Sequence, residues 1–216
     1  MTTKSITHNP FKIVDMFEEE VCKYTNAPYA IAVDSCTNAL FLSLMYYKLV
    51  RYGDPYINPI KISIPKKTYL SVPQSIIHAG FGLRFQDKEW SGCYQLEPLD
   101  IWDSAKRFTS NMYIPGSYMC LSFHIKKTLP LGKGGMILTD DKEAYTWLRK
   151  ARYEGRSEVN YKDDDIIFNG WNMYMEPSIA ARGLNLMLNY PKDVPDLGEP
   201  GEYKDLTEFT LFKSTN

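Results

Sequence analysis

Near the middle of the chain the run Ser122-Phe123-His124-Ile125-Lys126-Lys127 leads into Gly132-Lys133-Gly134-Gly135 and the strand-like stretch Met136-Ile137-Leu138-Thr139. A lysine at the end of a buried strand can form a Schiff base with an aldehyde once desolvation and a neighbouring charge pull its pKa down from about 10.4. Lys127 supplies such an amine, Ser122 offers a hydroxyl to a phosphate, and the glycines from 132 to 135 allow a turn into the next strand. A solvated Lys-Lys pair in a loop has the same composition. Gly132-Lys133 is not a nucleotide P-loop, because glycine rather than Ser or Thr follows the lysine and the spaced upstream glycine is missing.

Three other segments add to this chemistry. Ser35-Cys36-Thr37-Asn38 sits where a strand hands over to a helix, so free backbone N–H groups and the Thr37 hydroxyl can hold a phosphate at the positive helix end. An ordinary Ser/Thr helix cap reads identically. Thr68-Tyr69 follows a strand, where an aromatic can stack on a flat heteroaromatic ring; a core tyrosine is the plainer alternative. Asp103 closes the apolar stretch Leu99-Asp100-Ile101-Trp102, and a carboxylate there can keep a pyridine nitrogen protonated, making the ring an electron sink. A turn aspartate would look the same.

These residues need a scaffold, and the hydrophobic pattern supplies one. Asn9-Pro10 starts a helix whose apolar face is Phe11, Val14, Phe17, Val21 and Tyr24. Strands are expected at Tyr29 to Val33, Ile60 to Ile64, Leu83 to Phe85, Leu99 to Trp102, Tyr118 to Phe123 and Met136 to Thr139. Helices are expected at Asn38 to Val50, from Pro73 to near Gly80, at Lys142 to Arg152, and from Pro177 to about Asn189. Alternating strands and helices predict an α/β fold, a three-layer sandwich with a mostly parallel central sheet flanked by helices. Positions 1–189 form the expected large domain. Positions 190–216, rich in Pro, Gly, Asp and Lys, form a short appendage or tail with a strand-like stretch at Leu206 to Phe212.

The 216 residues, 44% hydrophobic, are enough to bury a substantial core. A net charge of -1 gives no field that would draw the protein to nucleic acid or an anionic membrane, so neither is an expected partner. Cys22, Cys36, Cys93 and Cys120 show neither metal spacing nor a disulfide framework, so no metal is expected and a reducing cytoplasm is the expected location. The N-terminus lacks an apolar signal core, and no apolar run approaches the ~20 residues needed to span a bilayer.

With these residues in hand, positions 11–188 resemble the DegT-type family of sugar aminotransferases, pyridoxal-phosphate enzymes with the aspartate aminotransferase fold. The family pattern Y-A-V-x-x-S-G-T-A-A-L is similar to Tyr29-Ala30-Ile31-Ala32-Val33-Asp34-Ser35-Cys36-Thr37-Asn38-Ala39-Leu40, with Cys36 in place of glycine or alanine. P-x-x-T-[FWY] matches 65–69, E-D-A-A-[QH] resembles 102–106, S-F-x-x-x-K matches 122–127, and G-x-N-x-R-M resembles 170–175. The resemblance implies pyridoxal 5'-phosphate as cofactor, with Lys127 as the Schiff-base lysine and proton shuttle and Asp103 as the partner of the pyridine nitrogen. It further implies that Cys36, Thr37 and Ser122 contact the phosphate, that Tyr69 stacks on the ring, and that Asn172 reaches the phosphate of the neighbouring subunit in a homodimer with shared active sites.

The implied reaction moves an amino group from glutamate or glutamine to a nucleotide-linked keto sugar. Relatives that dehydrate a deoxysugar often carry His where Lys127 stands, and a non-catalytic binding relative is the remaining alternative. Several positions depart from the family: Lys106 replaces Gln or His, Lys133 replaces Glu, Glu154-Gly155-Arg156 stands where a His-Gly pair is usual, and Tyr174 replaces Arg. The family's strand and helix excursion between Gly80 and Asp103 shrinks to a brief connection. Its small domain has almost no counterpart after Leu188, which implies that the lid is lost, simplified or supplied by the other subunit.

Overall fold

The computed structural model describes residues 9–53, 60–198 and 203–213. Helix α1 (Lys12–Thr25) starts beyond Asn9, whose Oδ1 accepts the Phe11 N–H at 2.9 Å, and stops where Asn26 adopts a left-handed conformation that its short polar side chain tolerates. The chain then runs through β1 (Tyr29–Val33), α2 (Cys36–Tyr46), β2 (Lys61–Pro65), α3 (Ser71–His78) and β3 (Gly82–Gln86). Next come β4 (Tyr94–Gln95), β5 (Ile101–Asp103), β6 (Tyr118–Ser122), β7 (Gly135–Thr139), α4 (Lys142–Ala151) and α5 (Pro177–Met187). Proline at the first position of α5 costs no hydrogen bond there.

Five strands form one sheet in the order β1-β7-β6-β5-β4, and β2 pairs with β3 beside it. Reciprocal backbone bonds between Ser63 and Glu97, 2.8 and 3.1 Å, tie that pair to the segment after β4. The sheet is mixed. β5 and β6 run parallel, as do β2 and β3, whereas β7 opposes both of its neighbours and β4 opposes β5. Strands β1, β5 and β6 share one direction, so the parallel character expected from the sequence is interrupted by β4 and β7, each set among strands of opposite sense.

Alternation along the strands divides two cores. Ile31, Val33, Cys120 and Ile137 face the layer of α2, α3 and α4, while Ala30, Ala32, Met119, Leu121, Met136 and Leu138 face α1 and α5. Strands buried on both sides read as continuous apolar runs, which is why their limits were legible. A charged network also holds α1 to α4. Glu18 and Arg152 are both buried and paired with each other; Glu18 also accepts the Ala32 N–H at 2.8 Å and an Arg149 nitrogen at 2.9 Å, and Arg152 donates to Ala32 O at 2.7 Å.

Two expectations need correction. The second helix does not run unbroken to Val50, because α2 passes at Tyr47–Arg51 into a wider π turn. The stretch Leu206 to Phe212 is not a strand but two 3₁₀ turns, Leu206–Glu208 and Thr210–Phe212. Asp205 Oδ1 accepts the Thr207 N–H at 3.0 Å and so starts a turn, while Leu206 and Phe212 reach the main core from turn positions rather than from alternating ones.

The segment after α5 is stitched along the body. Lys192 O accepts the Ser110 N–H at 3.0 Å, Leu197 N–H donates to Lys106 O at 2.9 Å, and Arg107 grips Asp196 through two nitrogens at 2.8 and 2.7 Å. Among the described residues no helix is long and apolar enough to cross a membrane.

Candidate active site

A cavity of about 650 Å³ opens at the ends of β2, β5 and β6 and the start of α2, a volume in the range of small-molecule sites. Cys36, Thr37, Tyr69, Asp103, Ser122 and Lys127 all line it, joined by Ser71, Trp90, Lys106, Lys133 and Tyr203 among others. Six residues singled out between positions 36 and 127 therefore converge. Asn172 is the exception: it lies off the cavity, exposed, its Nδ2 donating to Glu154 Oε1 at 2.9 Å.

The start of α2 forms one wall. Ser35 is an ordinary cap, accepting the Asn38 N–H at 3.2 Å, so the plain reading holds for that residue. Cys36 and Thr37 follow as the first helical residues, whose N–H groups have no intrahelical acceptor and carry the positive end of the helix dipole into the cavity. The Thr37 hydroxyl donates to Ser71 Oγ at 2.9 Å, joining the two helix starts. Cys36 Sγ turns away to Cys120 O at 3.4 Å, and burial pushes its thiol well above the ordinary range, so Cys36 offers backbone rather than a nucleophile. Gly135 makes this wall possible: a methyl group there would overlap the backbone of Ser35 and Cys36.

The floor is Asp103, at the C-terminal end of β5 and only 4% exposed, which excludes a solvated turn. Its Oδ1 accepts the Ala105 N–H at 2.9 Å and its Oδ2 accepts the Tyr94 hydroxyl at 3.0 Å. Burial raises its pKa, opposed by those two donors and by the charges of Lys127 and Lys106. Lys127 is presented by a tight loop in which its N–H donates to His124 O at 2.9 Å and Leu131 N–H to Phe123 O at 3.0 Å. Tyr69 stands at the mouth, 60% exposed and edge-on to Tyr203 at 6.4 Å between centroids, so it is no core tyrosine.

Several residues in and behind the wall escaped the sequence reading. Tyr94 of β4 is buried behind the cavity, bonded to Asp103, and Trp90 and Tyr203 in the wall face each other nearly parallel at 6.2 Å. The Lys106 ammonium lies 4.6 Å from the Tyr203 centroid and 5.4 Å from that of Trp90. Nothing in their spacing marks them, since they meet only through the fold; the position of Lys106 beside Asp103 was the available clue. Lys133 pairs with Asp34 at 3.3 Å, and Tyr174 packs edge-on against Phe11 and Tyr153.

A helix start with free N–H groups, a buried carboxylate set against two lysines, and an aromatic at the mouth together fit a phosphorylated, flat, nitrogen-containing ring carrying an aldehyde. Comparison with known proteins agrees. The model of the DegT/DnrJ/EryC1/StrS aminotransferase family matches residues 2–103 and 111–191. The spore coat polysaccharide biosynthesis protein SpsC of Bacillus subtilis is 25% identical, over 80% of this chain and 55% of its own length. The fold is shared with PseC of Helicobacter pylori, an aminotransferase involved in the biosynthesis of pseudoaminic acid, at a TM-score of 0.68 and 16% identity over 81% of this chain and 57% of that one. It is likewise shared with ntda of Bacillus subtilis, solved with bound cofactor PMP, at a TM-score of 0.63 and 19% identity over 82% and 48%. The chain thus spans about half the length of the relatives it matches.

Proposed function

The chain belongs to the DegT/DnrJ/EryC1/StrS aminotransferase family, and on that footing we propose that it binds pyridoxal 5'-phosphate in the cavity and transfers an amino group from glutamate or glutamine to a nucleotide-linked keto sugar. The observation that carries this reading is the convergence of Cys36, Thr37, Tyr69, Asp103, Ser122 and Lys127 on one cavity. Pyridoxal phosphate, when bound, supplies an aldehyde that captures amines and an electron-poor ring that spreads the charge left when a Cα–H bond breaks. The first N–H groups of α2 and the hydroxyls of Thr37 and Ser122 would hold the phosphate. Asp103 would keep a proton on the ring nitrogen, Tyr69 covers the mouth, and Lys127 Nζ would carry the proton taken from the donor's Cα.

The test begins with the cofactor. Purified protein incubated with pyridoxal phosphate and then borohydride should carry one added mass on the Lys127 peptide, absent from Lys127→Ala, and that variant should lose transfer by roughly 10²–10⁴-fold or more. Label on Lys126 or Lys106 instead, or none at all, would remove the proposal. Screening nucleotide-linked keto sugars with glutamate, read by the mass of the amino sugar, identifies the acceptor. Lys127 in place of His speaks against the dehydratase alternative.

The site is proposed to be shared in a homodimer. Asn172 supports this reading, because it lies outside its own cavity yet sits in the stretch that resembles the family's cross-subunit motif. Sedimentation should give a dimer at micromolar concentration, and Asn172→Ala should weaken cofactor retention. A monomer that keeps its cofactor fully would contradict it.

A further inference from the structure

Tyr94 belongs to none of the motif stretches, yet it is 2% exposed and its hydroxyl joins two residues of the cavity. It lies 3.0 Å from Asp103 Oδ2 and 2.6 Å from Thr68 Oγ1. A phenol has one proton. With that proton directed at the Asp103 carboxylate, Thr68 must supply the proton of its own contact, so the chain of donors runs from Thr68 through Tyr94 to Asp103. Each bond polarises the next among three buried residues. The backbone explains the placement: β4 pairs antiparallel with β5 in the register Tyr94 opposite Asp103, which sets the two residues side by side on one face. The short β4–β5 hairpin therefore delivers a hydroxyl to the carboxylate.

We propose that Tyr94, supported by Thr68, is a positioning residue that holds Asp103 in a single orientation as a carboxylate facing the cavity. The proposal rests on the reading of Asp103 as the partner of the cofactor's ring nitrogen. The groups around that carboxylate are the Tyr94 hydroxyl from β4, the Ala105 N–H that follows β5, Lys106 beyond it, Lys127 from the loop after β6, and three thiols: Cys36 at the start of α2, Cys120 opposite Asp103 on β6, and Cys93 just before β4. Of these, the Tyr94 hydroxyl donates directly to Oδ2 of the carboxylate. The flat phenyl ring left by Tyr94→Phe fills the same space, so its effect isolates the hydroxyl.

The experiment is a double-mutant cycle with Tyr94→Phe, Asp103→Asn and the pair, each measured for pyridoxal phosphate dissociation and, without cofactor, for melting temperature against pH. Tyr94→Phe should weaken cofactor binding about tenfold and cost much less once Asp103 is already Asn, while Thr68→Val should show a smaller loss of the same kind. In the cofactor-free protein, Tyr94→Phe should move the Asp103-dependent part of the pH profile toward higher pH, a shift that a purely packing role cannot produce. Equal losses from Tyr94→Phe in both Asp103 backgrounds, or an unmoved profile, would overturn the proposal. A wild type that binds no cofactor would sink the assigned reaction instead, and the cofactor-free cycle would still decide whether Tyr94 governs Asp103.

Discussion

Asp103 concentrates the conflict between stability and chemistry. Burial raises its pKa above the ordinary carboxylate value, so the folded chain resists its ionisation more than the unfolded chain does. Its stabilising contribution is complete at pH below the ordinary value and fades as pH rises toward the raised one; at neutral pH the ionised group is a cost. Asp103→Asn removes that cost, and its amide can still accept from Ala105 and donate to the Tyr94 oxygen. The cofactor-free variant should therefore melt several degrees above wild type at pH 7, where about 1 kcal/mol corresponds to 2–4 °C at this chain length, with the gap closing below pH 4. A wild type that melts as high as the variant at pH 7 would count against the buried charge. This residue was legible because it ends an apolar run at a strand edge. Tyr94, which controls it, was not, since the pairing of β4 with β5 that brings them together leaves no spacing signal. Ser35 shows the converse: cap and binding loop were offered as alternatives, and the structure uses Ser35 as the cap while the first N–H groups of α2 and the Thr37 hydroxyl remain at the cavity.

At the scale of elements, the wall that presents those N–H groups depends on how firmly α1, β1 and α4 are joined behind it. Glu18 and Arg152 are buried together, with Arg149 linking Glu18 to Asp15 and Glu158 at 2.8 and 2.6 Å. Removing one partner leaves a buried charge uncompensated. Arg152→Met should cost about 3–5 kcal/mol in urea unfolding, whereas adding Glu18→Leu to it should recover much of the loss, because two apolar groups replace a pair whose desolvation cost offsets most of its attraction. A double variant as unstable as the single one would mean that the bonds to Ala32, rather than the unpaired charge, dominate. None of this network was visible in the sequence, where α1 read only as a helix with an apolar face and 142–152 only as a helix. The strands other than β4, by contrast, were found to within a residue or two, because they read as short apolar blocks. The stretch from Leu206 to Phe212 has the same apolar density without the pairing, and only the turn begun by Asp205 distinguishes it.

For the molecule as a whole, the question is what closes the cavity on the side of the segment after α5. Here the chain beyond α5 returns along the body, so that Leu197, Gly198 and Tyr203 become cavity wall. Its anchor is the two-nitrogen grip of Arg107 on Asp196, with the Leu197 N–H bonded to Lys106 O immediately beyond. The Arg107 guanidinium holds the Asp196 carboxyl below its ordinary pKa, with burial opposing. A depressed pKa places the stabilisation above the ordinary carboxylate value and removes it as pH falls through the folded one, so the anchor is intact at neutral pH and releases in acid. Asp196→Asn should reproduce the acid state at pH 7, with the Leu197 amide exchanging its hydrogen about tenfold faster while amides of β6 and β7 keep their rates. Faster exchange throughout the sheet would instead make Asp196 a determinant of global stability. Unchanged exchange at Leu197 would place the anchor in the remaining backbone bonds, at Ser110 and Lys106, which carry no charge and hold at any pH.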